Sequence, residues 1–443
     1  MSTEPARLRR SIGLWDLVFY GIVMVQPTAP MPLFGIVGQE ARGHVVTAVF
    51  IAGMAMLLTA ISYGRMAAAH PSAGSAYTYA GREIHPSAGF LTGWAVILDY
   101  LLNPVICTIW CAKAMGNIVS GVPYIAWVAA FALLFTFLNL QGIRTSARAS
   151  EILVVGMIVV IAAFLIAAAR YVLHLPTLGP EMLLRPFYDA QTFSVPLVAT
   201  GTSVALLTYI GIDGISTLSE EVKNPRRNIM LAMVIASCLT IFFSCAQVYA
   251  GQLVWPEFTT FADVDTAFVH VAGRAGGPIL FQIVNLTLLV ATVGSGMGAQ
   301  LAAARLLYGM GRDNAIPTGF FGAIEPKRGI PRNNVLFTGA LILIGALTMS
   351  YQFGAELLNF GAFIAFMGVN ASALMHAIRA RVGVLTHMVP PILGFLICLG
   401  IWLNLRTGSQ LAGGAWLALG VVYAAIKTGG FKRAFVLSDP PSE

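Results

Sequence analysis

Apolar runs of about 20 residues recur along this chain from end to end, each bounded by a few polar or basic positions, and a run of that length crosses the hydrocarbon layer of a bilayer as one helix. The runs predict about twelve helices, near Leu14–Val37, Val45–Ala68, Gly89–Val119, Ile125–Leu140, Ile152–Val172, Ser194–Leu218, Ile229–Val254, Pro278–Met310, Asn334–Met349, Glu356–His376, Val389–Leu403 and Gly413–Ile426. The segments between them are short, which leaves no hydrophilic block for a separate soluble domain. The expected fold class is an all-α integral membrane protein with a single domain. It divides into a tail over 1–13, a core over 14–376, two further helices within 388–427 and a second tail over 428–443.

Two of the runs are built to break. The first, "LVFYGIVMVQPTAPMPLFGIVG", carries Pro27, Pro30 and Pro32, which remove three backbone donors and push the residues before them out of helical geometry. The sixth, "SVPLVATGTSVALLTYIGIDGISTLSEE", has a helix-poor centre at Gly211, Asp213 and Gly214. The two interruptions lie at corresponding depths, five helices apart. Paired breaks of this kind point to an inverted-repeat transporter, with its site near the bilayer midplane and unwound backbone lining a cavity.

Composition sharpens this picture. Of the 443 residues 57% are hydrophobic and 10% charged, where a soluble domain carries about a quarter charged. The formal charge of +7 reflects topology more than polyanion binding, because the basic residues gather at alternate helix ends. With Arg7, Arg9 and Arg10 holding the N-terminus inside, the inner ends carry Arg65 and Arg82, Arg144 and Arg148, Lys223, Arg226 and Arg227, Arg312, Lys327, Arg328 and Arg332, Arg379 and Arg381, then Lys427, Lys432 and Arg433. Both termini are expected in the cytoplasm. Residues 1 to 13 are too short and too charged for a cleavable signal, and no lipidation motif is present. The five cysteines, Cys107, Cys111, Cys238, Cys245 and Cys398, fall within apolar runs and read as packing residues.

Few side chains remain that could carry chemistry. Asp213 sits inside the second break and Asp99 in the third helix, and carboxylates within such runs face a partner, an ion or a pathway. Lys113 lies near the outer end of its helix, where it can snorkel. Tyr20, Tyr100, Tyr209, Phe360 and Trp402 are possible gates or walls for a cationic substrate. "VGSGMGAQLAAA" contains a GxGxxA pattern, but without a preceding strand it reads as a small-residue face for close helix packing. The segment from His70 to Gly89 is expected to be a loop at an inner gate. There is no Walker sequence, zinc spacing or nucleophile elbow, so neither a cofactor nor a metal is expected, and the scattered histidines form no catalytic constellation. A channel or a membrane-embedded enzyme is thereby disfavoured against a carrier.

Several segments resemble signature stretches of the amino acid, polyamine and organocation (APC) permeases: "PSAGSAYTYAGREIHPSAGFLTGW", "LDYLLNP", "YIGIDGISTLSEEVKNPRRNI", "ARLLYGMGRDNAIP" and "NFGAFIAF". Among these families the chain is most similar to bacterial putrescine importers and related amino acid permeases. The resemblance implies a five-plus-five inverted repeat with two extra helices, alternating access, and a substrate site at Val25, Gln26, Pro27, Thr28, Ala29, Tyr100, Tyr209, Ile210, Gly211 and Asp213. It also implies uptake or exchange of a small amine across the cytoplasmic membrane, with a coupling proton carried by Asp213 or Asp99, since Met157 stands where proton-coupled cationic amino acid members have a lysine. Pro27 and Pro30 delete amides that would hold a carboxylate, so an amine without a carboxylate is favoured, while the amides of Thr28 and Ala29 leave amino acids open.

Overall fold

The computed structural model describes residues 12–70, 75–142, 147–176, 179–218, 222–312, 316–325, 328–381 and 383–430. Arg7, Arg9, Arg10, Arg144, Lys327, Lys432 and Arg433, used above for orientation, lie outside the described residues. Among those described, the chain is helical throughout, with two isolated β-bridges and no strand. In order the helices are α1 (Leu14–Val25), α2 (Phe34–Glu40), α3 (Val45–Ala69), α4 (Ser75–Glu83), α5 (Pro86–Gly116), α6 (Tyr124–Leu140), α7 (Ala147–Leu173), α8 (Pro180–Leu184), α9 (Val195–Ala205), α10 (Gly214–Thr217), α11 (Pro225–Val254), α12 (Ala267–Arg312), α13 (Thr318–Phe321), α14 (Arg332–Thr348), α15 (Tyr351–Arg379), α16 (Val384–His387), α17 (Val389–Leu403) and α18 (Thr407–Lys427).

Among the described residues nine segments are long and apolar enough to cross a membrane, and α1, α6 and α14 are shorter apolar helices. Each of the twelve predicted runs therefore meets a helix or a broken helix. The perimeter is apolar and exposed, as at Leu385, Ile426 and Ile279, which is the surface a lipid-facing bundle needs. Inside, small residues and hydrogen-bonded polar groups hold the helices together, because apolar surface gains little by leaving lipid for protein. Asn370 on α15 donates to Thr59 Oγ1 (3.0 Å) and accepts from Ser62 Oγ (2.7 Å), both on α3. Gln300 on α12 likewise donates to Thr136 Oγ1 on α6 (3.0 Å) and accepts from Asn139 Nδ2 (3.0 Å).

Both predicted breaks are present. α1 ends where Gln26 takes φ 63°, and the backbone turns through Pro27 to Leu33 before α2 begins. The turns are closed by Ala29 N–H donating to Gln26 O (3.0 Å) and Met31 N–H to Thr28 O (3.0 Å). Gln247 of α11 donates its side-chain amide to the Pro27 carbonyl at 3.0 Å, satisfying an acceptor the broken helix leaves free. In the second break α9 tightens to a 3₁₀ turn over Leu206–Tyr209, Ile210 is extended, and Gly211 takes φ 111° before α10. A Cβ on Gly211 would lie 3.0 Å from the Met24 carbonyl oxygen, so the two breaks touch and glycine is required by both torsion and space.

Several expectations are refined. The segment from His70 to Gly89 is not a loop: its described part holds α4, whose Ala76, Thr78, Tyr79 and Ala80 are buried, and Gly81 approaches Gly89 of α5 closely. Its short amphipathic period was hidden by Gly, Ser and Pro content. The eighth predicted helix starts at Pro278, after Gly277 leaves helical torsion (φ 77°), but a further helical stretch from Ala267 precedes it. Lys113, partly exposed near the end of α5, also pairs with Asp265 (2.6 Å) and Asp263 (3.3 Å) on the loop before α12. Of the cysteines, Cys107, Cys111 and Cys398 are buried, whereas Cys238 is exposed on the lipid-facing side of α11 in a groove with Phe50 and Phe242.

Candidate functional site

The two breaks meet at a cavity of about 320 Å³. Val23, Met24 and Gln26 line it from α1 and the residue after it; Ile210, Gly211, Asp213 and Gly214 from the second break; Asp99, Tyr100 and Asn103 from α5. Leu153, Val154 and Met157 of α7 and the small face Ala291, Gly294, Ser295, Gly298, Ala299 and Ala302 of α12 close the remaining sides. Met24 and Tyr100 on the wall are 46% and 36% exposed, so the cavity can be reached from outside the bundle.

Each polar side chain is placed by local geometry. Asp213 Oδ1 accepts the Gly211 N–H (3.2 Å), and its backbone carbonyl accepts the Ser216 hydroxyl (2.7 Å), so the carboxylate is held against the break and keeps further lone pairs for a ligand. Asp99 and Asn103 stand one helical turn apart on α5 and therefore share a face. The Gln26 side chain donates to the Ala291 carbonyl of α12 (3.2 Å), tying the first break to the opposite wall. Among the described residues two carboxylates line this cavity and no Lys, Arg or His does. Such a surface attracts cations, and an ammonium would replace its lost water with carboxylate and carbonyl oxygens.

Of the residues named from sequence, Gln26, Asp99, Tyr100, Met157, Ile210, Gly211 and Asp213 come together on this wall. Val25, Pro27, Thr28 and Ala29 sit behind it: Val25 and Thr28 are buried, and the Thr28 hydroxyl points to Met157 Sδ at 3.6 Å. The Ala29 amide is already used within the turn. Tyr209 is fully buried facing α3, where its hydroxyl donates to the Val49 carbonyl at 2.8 Å. Phe360 and Trp402 pack against each other at a tilt, ring centroids 5.1 Å apart, between α15 and α17, and do not line the cavity. Tyr20 is partly buried beside Gly214, at the edge of the second break. Asn103, Ser295, Gly294 and Gly298 were not anticipated. Their sequence signal is the four-residue spacing of Asp99 with Asn103 and of Gly294 with Gly298 and Ala302, which marks one polar or small face on an otherwise apolar helix.

Beyond the first break, aromatic rings and an ion pair pack the loop before α12 against α2 and α5. Phe34 packs edge-on against Phe261 and Phe268, at 5.9 and 5.4 Å. Trp110 donates its indole N–H to the Asp265 carbonyl (2.9 Å), and the Lys113 pair anchors the same loop to α5. Tyr209→Phe tests the placement of Tyr209: deleting the hydroxyl removes one buried hydrogen bond of about 1 kcal/mol. Thermal unfolding should shift down slightly while apparent substrate affinity stays within about twofold, and a large affinity change would return Tyr209 to the site.

Comparison with known proteins agrees with this architecture. Residues 31–426 match the amino acid permease family. The chain is 34% identical to the low-affinity putrescine importer PlaP of Escherichia coli K12, over 98% of this chain and 96% of that protein. It is 25% identical to the methylthioribose transporter of Bacillus subtilis (95% and 94% covered) and 24% identical to the branched-chain amino acid permease BcaP of the same organism (94% and 92%). These relatives are transporters and permeases, not enzymes. The match extends over nearly all of a chain whose helices suit several membrane crossings, so this multi-pass membrane protein belongs to the amino acid permease family.

Proposed function

We propose that the protein is a secondary transporter that imports a small amine-bearing solute, a diamine such as putrescine in preference to an α-amino acid, across the cytoplasmic membrane. The observation that carries this reading is the cavity between the two breaks, with Asp99 and Asp213 on its walls and no basic side chain among its lining residues. Two carboxylates suit two ammonium groups. The turn after α1 favours a substrate without a carboxylate, because Pro27 and Pro30 have no N–H and the Ala29 amide donates to Gln26. The most similar relative named above is a putrescine importer.

In this reading all the residues form one transport domain with both termini in the cytoplasm, α1/α2 and α9/α10 are the discontinuous helices of an inverted repeat, and α17 and α18 stand outside it. The substrate ammonium meets Asp213, Asp99 and the carbonyls of the breaks. Tyr100 lines its path. The open end then faces the cytoplasm, and the Phe34 cluster with the Lys113 pair closes the outside. Rocking of the broken helices exchanges the two openings. A proton that takes the substrate's place on Asp213 or Asp99 would couple import to the proton gradient.

Uptake of labelled putrescine, alanine, leucine and arginine into proteoliposomes, with and without an inward proton gradient, tests the reading. Saturable putrescine uptake that the gradient stimulates and the amino acids do not compete for is expected. Uptake of an amino acid with exclusion of putrescine would overturn the substrate assignment, and non-saturable flux would overturn the carrier mechanism.

A further inference from the structure

Away from the cavity, three helix ends bring together the ligands of a metal ion. His70 follows the last residue of α3, Glu83 ends α4, and His376 lies in the last turn of α15. Glu83 Oε1 is 2.6 Å from His70 Nε2 and 2.8 Å from His376 Nδ1, and the three atoms all lie within 4.8 Å of one another. The imidazoles meet edge to face, with ring centroids 5.9 Å apart. Arg379 Nη1 takes the other carboxylate oxygen, Oε2, at 3.1 Å. The Glu83 side chain is 6% exposed and the rings of His70 and His376 are 23% and 41% exposed, so the carboxylate forms the floor and the imidazoles the mouth.

We infer that His70, Glu83 and His376 bind a divalent transition-metal ion of the zinc type at this end of the bundle. Two imidazole nitrogens and one carboxylate oxygen, with a fourth position open to water, are a donor set that zinc accepts and that magnesium and calcium, which prefer oxygen cages, do not. Zinc at about 2.0–2.1 Å from each ligand places tetrahedral ligand atoms roughly 3.4 Å apart, so the rings retreat from the carboxylate oxygen by roughly 0.6–0.8 Å. Arg379 does for the carboxylate what an outer-shell partner does in metal sites: it fixes the orientation and leaves Oε1 for the ion. Its positive charge also weakens the hold, which sets the expected affinity in the micromolar range. The ion would link α3, α4 and α15. Whatever the solute carried, zinc should then slow any cycle in which those ends separate.

The test uses the purified full-length protein in detergent, titrated with zinc against a chromogenic chelator. One zinc per chain at micromolar concentration is expected, weakened at least about tenfold in His376→Ala and in Glu83→Gln and unchanged in His174→Ala, a histidine elsewhere on the surface. X-ray absorption of the zinc-loaded wild type, which needs no variant, should show nitrogen and oxygen neighbours near 2.0 Å with two-imidazole scattering. Absence of saturable zinc binding, binding that survives both variants, or a spectrum without imidazole would overturn the site and leave the cluster as a hydrogen-bonded latch.

Discussion

If the proposed function holds, Asp213→Asn is expected to lower the efficiency of putrescine uptake by about ten- to a hundredfold. A hydrogen bond to a charged group contributes about 1.5–3 kcal/mol, and each 1.4 kcal/mol is a factor of about ten. The substitution keeps the shape: the asparagine carbonyl can still accept the Gly211 N–H that Oδ1 accepts now, so the break itself is retained. Thermal unfolding therefore stays close to that of the wild type while transport falls. Initial rates in proteoliposomes across substrate concentrations give the effect, and unchanged affinity and turnover would remove Asp213 from the site. Asp99→Asn, one wall away, should reduce putrescine uptake as well, and under the proposal that both carboxylates hold one dication the two losses should not add.

A large effect on folding is expected at Gly361→Ala. Gly361 lies in α15 against α5, where a Cβ would stand 2.2 Å from the Ala95 carbonyl oxygen and 3.3 Å from Leu98 Cβ. The contact is with backbone, so no side chain can turn aside and the two helices must move apart. Overpacking of this kind costs about 1–3 kcal/mol or more. Here it strikes the interface that holds α5, and with it Asp99 and Tyr100, in place. The yield of monodisperse protein and its unfolding temperature should both drop. Gly400→Ala on α17, where a Cβ would meet nothing within 4 Å, is the control and should be neutral or slightly stabilising through helix propensity. Equal behaviour of the two variants would mean that α15 and α5 are not tightly packed in the membrane.

The four-residue face of α12 shows how partial a linear reading is. Gly294, Gly298 and Ala302 were expected to let helices approach, yet a Cβ on Gly294 or Gly298 would meet nothing within 4 Å, because these positions border the cavity. Gly296, between them, does fit that expectation: it packs against Phe135 and Cys107. Small residues look alike in sequence whether they admit a neighbouring helix or leave room for a ligand. Tyr209 is the complementary case. Its position in the second break suggested a gate, but the 3₁₀ turn rotates its side chain toward α3 and away from the cavity.

What the sequence determined by itself are the features that act over one helix. Apolar length specifies the membrane helices, and three prolines and Gly211 specify where two of them must break, since backbone torsions and donors are local properties. Asp213 and Asp99 were legible for a related reason: a carboxylate in an apolar run is costly wherever the run packs. Tertiary structure alone decided which way each side chain turns, and therefore which of Tyr100 and Tyr209 borders the cavity. It alone paired Lys113 with Asp265, and it alone gathered His70, Glu83 and His376, which lie up to 306 positions apart, at one end of the bundle. Those pairings depend on helix rotation and contact between distant segments, which no local pattern encodes.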